Sequence, residues 1–571
     1  MRTTRSAAAG VLCAALALAG CSSQGGGAPA AEDQAPGTAT PASPTATGSA
    51  PSAAASGASA SGSPRPSSHE QPPAPLEIGT GWGPTRREIA RARDLVSRLS
   101  LTEEAGQVIV ARYAGTQPPT RLVNGLHLGG VIVFDENITG ADQIRRSNHR
   151  LQESAARAGR RWPVFIGVDQ EGGIVERVKD GVTPFPAFMS SGAADEPPLT
   201  RRAAAAGGAQ LASLGFTVDF APDADVTSGR EDPTIGSRSA GSRPQLVARQ
   251  VNAAVDGFLS SGVLPVIKHF PGHGSVPADS HVELPVQHKS LARLKRSDLV
   301  PFKAGVAGGV PAIMVGHLDV RAVDPGVPSS LSRKVVTGLL RHRLGFDGLV
   351  VTDALNMGAV TDAYGVRRAA VRALNAGNDV LLMPPRPRAA RDAIVDAVRD
   401  GRLSRARLDQ AATRQVAVLL HQRELRRSVS QRPGRGDQAS EQLSAAAVTV
   451  VDGPCRGRLV GRSVRVTGPD DAVARFEEAA HRAGVRTGRG PLVALVGYGG
   501  APARAAVVVS LDTPYVLADS RAGVAEIALY GDTPGAMRAL VDVLTGRARA
   551  TGELPVHVPG VARTGCAHSR S

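Results

Sequence analysis

The sequence predicts an α/β fold, in which a closed (β/α)8 TIM barrel is followed by a second, smaller C-terminal α/β domain. Eight short apolar runs alternate with segments that carry helix signals over about 340 residues. This number of strands fits a closed barrel better than an open doubly wound sheet. Polar and charged residues follow several of the runs, which is typical of the catalytic mouth of such a barrel.

The N-terminal residues 1–20 resemble a bacterial lipoprotein signal peptide. Arg2 and Arg5 precede an apolar stretch, residues 7–19, which is too short to span a membrane as a stable helix. The stretch ends in Leu18-Ala19-Gly20-Cys21, which is similar to a lipobox. This resemblance implies cleavage before Cys21, attachment of lipid such as palmitate to that residue, and an exported protein anchored on the outer side of the cell membrane.

Composition separates the rest of the chain into four parts. Residues 21–80 are mostly Ser, Ala, Gly, Pro and Thr, a composition that buries too little apolar surface to fold, so we expect a disordered tether. The barrel is expected over residues 81–426. A polar linker is predicted at 427–440, and the C-terminal domain at 441–571.

Charge and cysteine content restrict the partners. The net charge is +15, but the basic residues are spread over helical segments and are not gathered into runs with aromatics, which argues against nucleic-acid binding. No spacing of ligands indicates a structural metal site, and we expect no cofactor and a monomer. Cys455 and Cys566 can form a disulfide in an exported protein, but the sequence does not show whether their backbones lie within bridging distance.

The barrel strands are predicted from short apolar runs rich in β-branched residues, bounded by turn residues. The eight predicted strands are Val108–Tyr113, Gly130–Phe134, Val164–Val168, Thr217–Phe220, Val263–Ile267, Ala312–Val315, Gly348–Thr352 and Asp379–Met383. In the C-terminal domain, the same pattern predicts Ala447–Val451, Leu492–Val496, Ala506–Leu511 and Ile527–Tyr530.

Helix boundaries are predicted from capping residues. Ser100 and Glu103 have the spacing of a capping box, and Ser332 precedes a helical segment that ends at Gly345. Thr200 is the predicted N-cap of a helix over 201–214, and residues 245–259 form an amphipathic helix.

The most informative stretch of the chain is Lys268 to His281, which reads KHFPGHGSVPADSH. It follows the fifth predicted strand, and its Pro and Gly residues predict a loop at the strand end. Asp279 and His281 lie two residues apart, so the carboxylate can hold the tautomer of the imidazole. A histidine held in this way is suited to acid/base catalysis.

Other strand ends add to this polar set. Since the carboxyl ends of barrel strands meet at one mouth, we expect these side chains to lie together, where basic neighbours would keep a carboxylate ionised as a nucleophile. Asp353 could alternatively cap a following helix. The candidates are Asp169, Gln170, Glu171, Arg177, Asp223, Asp225, Arg238, His317, Asp319 and Asp353.

Four motifs together resemble glycoside hydrolase family 3, in its β-N-acetylglucosaminidase (NagZ-like) branch. They are Lys268–Gly274 with Asp279-Ser280-His281, Asp169–Gly173, Val351–Leu355, and the run Pro328–Met357. They occur in the family order over residues 85 to 420. The ending of the chain is similar to the α/β sandwich domain of many family members.

The resemblance implies a retaining exo-β-N-acetylglucosaminidase that removes terminal GlcNAc from cell-wall muropeptides or related glycans, in peptidoglycan turnover. Asp353 matches the nucleophile, His281 the acid/base, and Asp279 its partner in a dyad that replaces the second carboxylate of other glycosidases. The positions that match the sugar-binding residues of the family are Asp169, Arg177, Arg238, Lys268 and His269.

Two residues depart from the family pattern, and both bear on specificity. Ile174 replaces the usual Arg after the Gly pair, and Ala240 replaces an aromatic residue. Three alternatives stay open. They are a β-glucosidase of the same family, a GlcNAc phosphorylase in which phosphate replaces water, and a catalytically inactive lipoprotein that binds sugars.

Overall fold

A computed structural model describes residues 78–563, apart from 233, 277, 279–282, 429–435 and 455. The predicted signal segment, the lipidation residue Cys21 and most of the predicted tether therefore lie outside the described residues. So do the Asp279–His281 dyad and both C-terminal cysteines. Within the described part of the chain, no helix combines the length and apolarity needed to cross a bilayer.

Eight parallel strands form the barrel, as the sequence predicts. Each pairs with the next in chain order, and the sheet closes where the last strand pairs with the first and where Val351 bridges to Val380. The strands are β1 (Ile109–Arg112), β2 (Gly130–Val133), β3 (Phe165–Val168), β4 (Val218–Asp219), β5 (Leu264–Phe270), β6 (Ala312–Val315), β7 (Leu349–Thr352) and β8 (Leu381–Leu382).

Side chains on the barrel strands alternate between two hydrophobic layers. In β6, Ala312 and Met314 belong to the cluster that fills the barrel, whereas Ile313 and Val315 pack against the surrounding helices. In β3, Gly167 leaves space for the Phe220 ring, because a Cβ there would lie 2.7 Å from ring atom Cε2. This packing makes the barrel interior solid and leaves the strand ends as the place for a site.

Helices surround the barrel and connect its strands. A short antiparallel hairpin, Gln170–Gly172 with Val175–Glu176, follows β3, and Val286–Gln287 pairs with Asp319–Val320. The segment Lys334–Arg343 is wound as a π-helix. The other helices of this part are Arg86–Ser97, Leu101–Gln107, Thr120–Leu126, Ala141–Arg157, Met189–Ala194, Pro197–Ser213, Pro244–Ser261, Leu291–Arg296, Leu299–Ala307, Gly358–Ala376, Pro387–Arg399 and Arg405–Ser428, with 3-10 turns at Asp135–Asn137, Gly236–Arg238 and Ser329–Leu331.

Most predicted capping residues act as expected, and Thr200 does not. The Ser100 and Glu103 side chains form a reciprocal capping box, and Ser332 Oγ accepts the Val335 amide at 3.2 Å. The helix predicted to begin after Thr200 instead begins at Pro197, since proline is well suited to the first turn. Thr200 is therefore inside the helix, and its hydroxyl donates to Gln250 Oε1 at 2.7 Å.

The segment predicted as a linker is helical at both ends. Residues 427–428 complete the helix Arg405–Ser428, and residues 436–440 begin the helix Gly436–Ala447. Asp437 accepts a hydrogen bond from Thr183 at 3.0 Å, and Ser440 donates to the Pro184 carbonyl at 2.8 Å. The start of the second domain is thus bound to the barrel.

The C-terminal domain is a five-stranded sheet with one antiparallel pair. Its strands are β9 (Thr449–Asp452), β10 (Ser463–Thr467), β11 (Arg486–Val496), β12 (Arg504–Ser510) and β13 (Arg521–Ala528), in the spatial order β9-β13-β12-β11-β10. The helices Asp470–Arg482 and Pro534–Thr545 cover one face. The other face packs on the barrel helix Met189–Ala194 and the segment 554–558. Four of these strands were predicted, and β10 was not.

Candidate active site

The described members of the predicted site lie at the carboxyl ends of strands β3, β5 and β7, or in the connection after β4. Asp169 directly follows β3, Lys268 and His269 belong to the end of β5, and Asp353 directly follows β7. Arg238 lies in the 3-10 turn Gly236–Arg238, in the long connection after β4. The parallel strands therefore bring residues far apart in sequence to one mouth, as barrel geometry requires.

Glu171 connects the cations of the site. Arg238 donates from Nε and Nη2 to the two Glu171 oxygens, at 2.8 and 2.9 Å. Lys268 Nζ lies 2.6 Å from Glu171 Oε1 and 2.6 Å from Asp169 Oδ1. Although burial works against its charge, Arg238 and Lys268 hold the pKa of Glu171 far below its usual value. Glu171 therefore stays charged, and it fixes the two cations Arg238 and Lys268 at the mouth.

His269 is held by a pair of buried aspartates. Its Nδ1 lies 2.7 Å from Asp225 Oδ2 and 3.7 Å from Asp223 Oδ2. Burial lowers the pKa of His269 and raises the pKa of Asp225 to about 7, and it raises the pKa of Asp223 as well. The aspartates fix the imidazole orientation, which leaves Nε2 as the atom that can meet a ligand.

The same three residues present possible metal ligands. Ligand atoms of Asp223, Asp225 and His269 lie within 4.8 Å of one another and could hold a cation. Arg238 Nη2, however, already lies 3.6 Å from Asp223. This guanidinium supplies positive charge beside the carboxylates, although Asp223 Oδ2 accepts no hydrogen bond from the described residues.

Asp353 is the carboxylate best placed to act on a substrate. Its Oδ1 accepts the Ala354 amide at 2.7 Å, and its own amide donates to the Val315 carbonyl at 2.9 Å. Burial opposes its charge, but His317, His269, the Ala354 amide and His273 hold the pKa of Asp353 below its usual value. The next helix begins only at Gly358 and has Met357 as its cap, so Asp353 does not cap it. Asp353 is thus a buried carboxylate whose lowered pKa favours the ionised form.

Arg177 lies at the mouth but outside the ion-pair cluster. Its guanidinium is stacked over the Phe134 ring, 5.4 Å from the centroid, and its backbone amide donates to Gln170 Oε1 at 2.9 Å. Ile174, on the same hairpin, exposes 47% of its surface, whereas Ala240 is fully buried. Of the two departures from the family pattern, Ile174 is therefore the one that faces solvent at the mouth.

No role was assigned from the sequence to three residues that the structure places in contact with the site. Glu171, Asp225 and His317 were noted at strand ends but were not assigned a role. Glu171 is the third residue of the Asp169–Gly173 motif, and its place in that motif is the sequence feature that could have identified it as a site residue. His317 receives its orientation from Ser330, whose Oγ lies 2.6 Å from Nδ1. Asp319, in contrast, pairs with Arg321 at 3.0 Å, in the short sheet beside the barrel.

Comparison with known proteins places the chain in a family. Residues 100–418 match the model of the glycosyl hydrolase family 3 N terminal domain. Beta-hexosaminidase A of Pseudoalteromonas piscicida is 36% identical over 287 residues, which are 47% of this chain and 48% of that protein, so the chain spans about half the length of this relative. Beta-hexosaminidase LpqI of Mycobacterium tuberculosis is 33% identical over 360 residues, 61% of this chain and 89% of the relative.

A solved structure extends the likeness to both domains. A glycoside hydrolase family 3 beta-N-acetylglucosaminidase from Paenibacillus sp. str. FPU-7 is 30% identical, with a TM-score of 0.72. The match covers 81% of this chain and 99% of that one, so it includes the C-terminal sheet. With the family model matching more than half of the chain and the strand-end site in place, this protein belongs to glycosyl hydrolase family 3.

Proposed function

We propose that the protein is a retaining exo-β-N-acetylglucosaminidase. The observation that carries the proposal is the Asp353 carboxylate, which directly follows β7, accepts the Ala354 amide at 2.7 Å and has a pKa below its usual value, at the same mouth as the Glu171–Arg238–Lys268 cluster. An ionised carboxylate beside groups that bind hydroxyls is the arrangement a glycosyl-enzyme intermediate needs. The hexosaminidase and β-N-acetylglucosaminidase relatives support GlcNAc as the sugar.

The reaction proceeds in two displacements. Asp353 attacks the anomeric carbon as His281 protonates the leaving oxygen, and a glycosyl ester forms on Asp353. His281 then takes a proton from water, which attacks the same carbon and releases Asp353, so the configuration is retained. Asp279 holds His281 in the required tautomer. Asp169, Arg177, Arg238, Lys268 and His269 bind the sugar hydroxyls.

Steady-state kinetics test the activity. We compare an aryl β-GlcNAc with the matching aryl β-glucoside, for the wild type and for Asp353→Ala and His281→Ala. A preference for GlcNAc, lost in Asp353→Ala and strongly reduced in His281→Ala, is expected. Wild-type activity in Asp353→Ala would refute the assignment of Asp353 as the nucleophile. If the anomeric configuration is retained, NMR should show the β-anomer of the sugar as the first product.

We further propose that a lipid at Cys21 anchors the enzyme, as a monomer, on the outer side of the membrane, where its substrates are muropeptides or related GlcNAc-containing glycans. The lipobox-like sequence and the low-complexity segment 21–80 support this location. Labelled palmitate should enter the wild type but not Cys21→Ala, and Cys21→Ala should leave the membrane fraction. Retention of Cys21→Ala in washed membranes contradicts the proposal.

A further inference from the structure

The C-terminal domain contacts the barrel loop that carries Arg238. Asp512 lies just beyond the carboxyl end of β12, the central strand of the C-terminal sheet. Its Oδ1 accepts a hydrogen bond from the hydroxyl of Ser237, the residue directly before Arg238. Ser237 is 1% exposed. Thr513 lies against the same turn, where a Cβ on Gly236 would be 3.6 Å from Thr513 Cγ2. Two consecutive residues of one domain therefore hold one turn of the other.

The turn has little freedom to move without disturbing the site. Its last residue, Arg238, donates to both oxygens of Glu171, and Glu171 also contacts Lys268. A shift of the turn would lengthen the two Arg238 bonds together, because both come from one rigid guanidinium. The cluster would then lose its geometry toward a bound sugar, where small displacements have large effects.

Further contacts between the domains surround this one. Ser242, four residues after Arg238, donates its amide to the Pro555 carbonyl at 3.1 Å. Ala187, in the segment after the Glu171 hairpin, donates its amide to the Tyr530 carbonyl at 2.9 Å. Both segments that flank the cluster are thus bound by backbone of the C-terminal domain. Ser237–Asp512 differs from these contacts because it is made by side chains and can be removed by substitution.

We infer that Asp512 is a positioning residue, through which the C-terminal domain fixes Arg238 for sugar binding. The inference rests on the proposed function, in which Arg238 binds the sugar. By this inference, the C-terminal domain contributes to the reaction indirectly. Asp512 acts through Ser237 and does not contact the substrate. It predicts that loss of the contact weakens substrate binding more than it slows the chemical step.

A double-mutant cycle on the full chain tests this. Asp512→Ala and Ser237→Ala are each expected to raise KM for an aryl β-GlcNAc by about fivefold to tenfold, with kcat within about twofold of the wild type. The double variant should equal either single variant, since both remove one contact. Asp512→Asn keeps an oxygen that accepts the Ser237 hydroxyl, so its KM should stay near that of the wild type.

Asp519→Ala is the matched control. Asp519 also joins the domains, by an exposed ion pair with Arg230 at 2.5 Å, but it does not touch the Arg238 turn. Its KM should not change. An unchanged KM in Asp512→Ala, additive effects in the double variant, or an equal effect of Asp519→Ala would each overturn the inference. If the wild type itself cleaves no aryl β-GlcNAc, the proposed function fails. The inference about Asp512 is then tested by measuring the Kd for GlcNAc by calorimetry, in the wild type and in the same variants.

Discussion

Arg238 and Glu171 form a two-point ion pair, with Nε 2.8 Å from Oε2 and Nη2 2.9 Å from Oε1. The pair is almost sealed from solvent, since the Glu171 side chain is 3% exposed and that of Arg238 is 14% exposed. Lys268 contacts the same carboxylate and is 2% exposed. Glu171 is therefore the common counter-charge of two cations that we propose to bind the sugar.

Replacing Glu171 by Gln should disrupt the site. The amide keeps the shape of the carboxylate but leaves Arg238 and Lys268 close together with less negative charge between them, and one partner of a buried ion pair is costly to remove. We expect kcat/KM for an aryl β-GlcNAc to fall by about 100-fold. Glu441→Gln removes the half-exposed pair with Arg538 at 2.9 Å and should leave kcat/KM unchanged. Equal activity of both variants would contradict the role of Glu171.

Glu176 should make stability depend on pH. Burial raises the pKa of Glu176 to about 7. Because the folded pKa lies above the unfolded one, its stabilising contribution is present below about pH 4.5 and is lost as pH rises through 7. When the pH is raised from 5 to 8, the wild type should therefore lose about 2 kcal/mol more unfolding free energy than Glu176→Gln does.

Urea unfolding of both proteins at the two pH values measures this difference. The control is Glu477, an exposed glutamate of the C-terminal helix Asp470–Arg482. Glu477→Gln should show the same difference from the wild type at pH 5 and at pH 8. A Glu176→Gln variant that also shows no change with pH would mean that Glu176 is ionised throughout.

Replacing each of two adjacent glycines in the helix Pro197–Ser213 by alanine should change the stability of the protein in opposite directions. A Cβ on Gly207 would lie 3.4 Å from Phe185 Cε2, an ordinary contact beside a cavity that both residues line. Gly207→Ala should stabilise the protein by about 1 kcal/mol, since alanine favours the helix. A Cβ on Gly208 would lie 2.2 Å from Ser261 Oγ, so Gly208→Ala should destabilise it by about 1–3 kcal/mol.

Thermal and urea unfolding of the two single variants give the comparison. Since the substitutions are the same and the positions are neighbours, helix propensity cancels between them. The difference therefore measures the contact with the neighbouring helix Pro244–Ser261. Similar shifts in both variants would show that Ser261 can move away without cost.

Asp379 should be essential for folding. It is buried, and its oxygens lie 2.6 Å from Arg341, 2.9 Å from Arg407 and 3.3 Å from Arg414. Burial opposes its charge, but the three arginines hold the pKa of Asp379 below its usual value. Asp379→Asn keeps the shape and leaves three buried guanidinium groups without this carboxylate. We expect a loss of more than about 3 kcal/mol of unfolding free energy.

The exposed pair of Asp396 with Arg367, at 2.8 Å, is the control for that experiment. Asp396→Asn should cost less than about 1 kcal/mol, because solvent screens the pair. Guanidinium unfolding curves, or the soluble yield if Asp379→Asn does not fold, compare the two. A small effect of Asp379→Asn would mean that the arginines are satisfied by the backbone carbonyls around them.

Local patterns were sufficient for most secondary structure. All eight barrel strands were predicted, because a buried strand is a short run of apolar residues between turn signals. Strand β10 was missed, since Ser463–Thr467 is an edge strand with exposed Arg465 between its buried and half-buried valines. Thr200 was misassigned as a cap because a proline three residues earlier starts the helix.

The sequence determined the fold class, the order of the strands and the residue types at the mouth, since these depend on periodicity and on barrel topology alone. Only the tertiary structure decided which of those residues touch. Glu171 pairs with Arg238 over a separation of 67 positions, and Asp512 reaches Ser237 across 275. Such contacts depend on how loops and a second domain pack in space, and no local pattern encodes that packing.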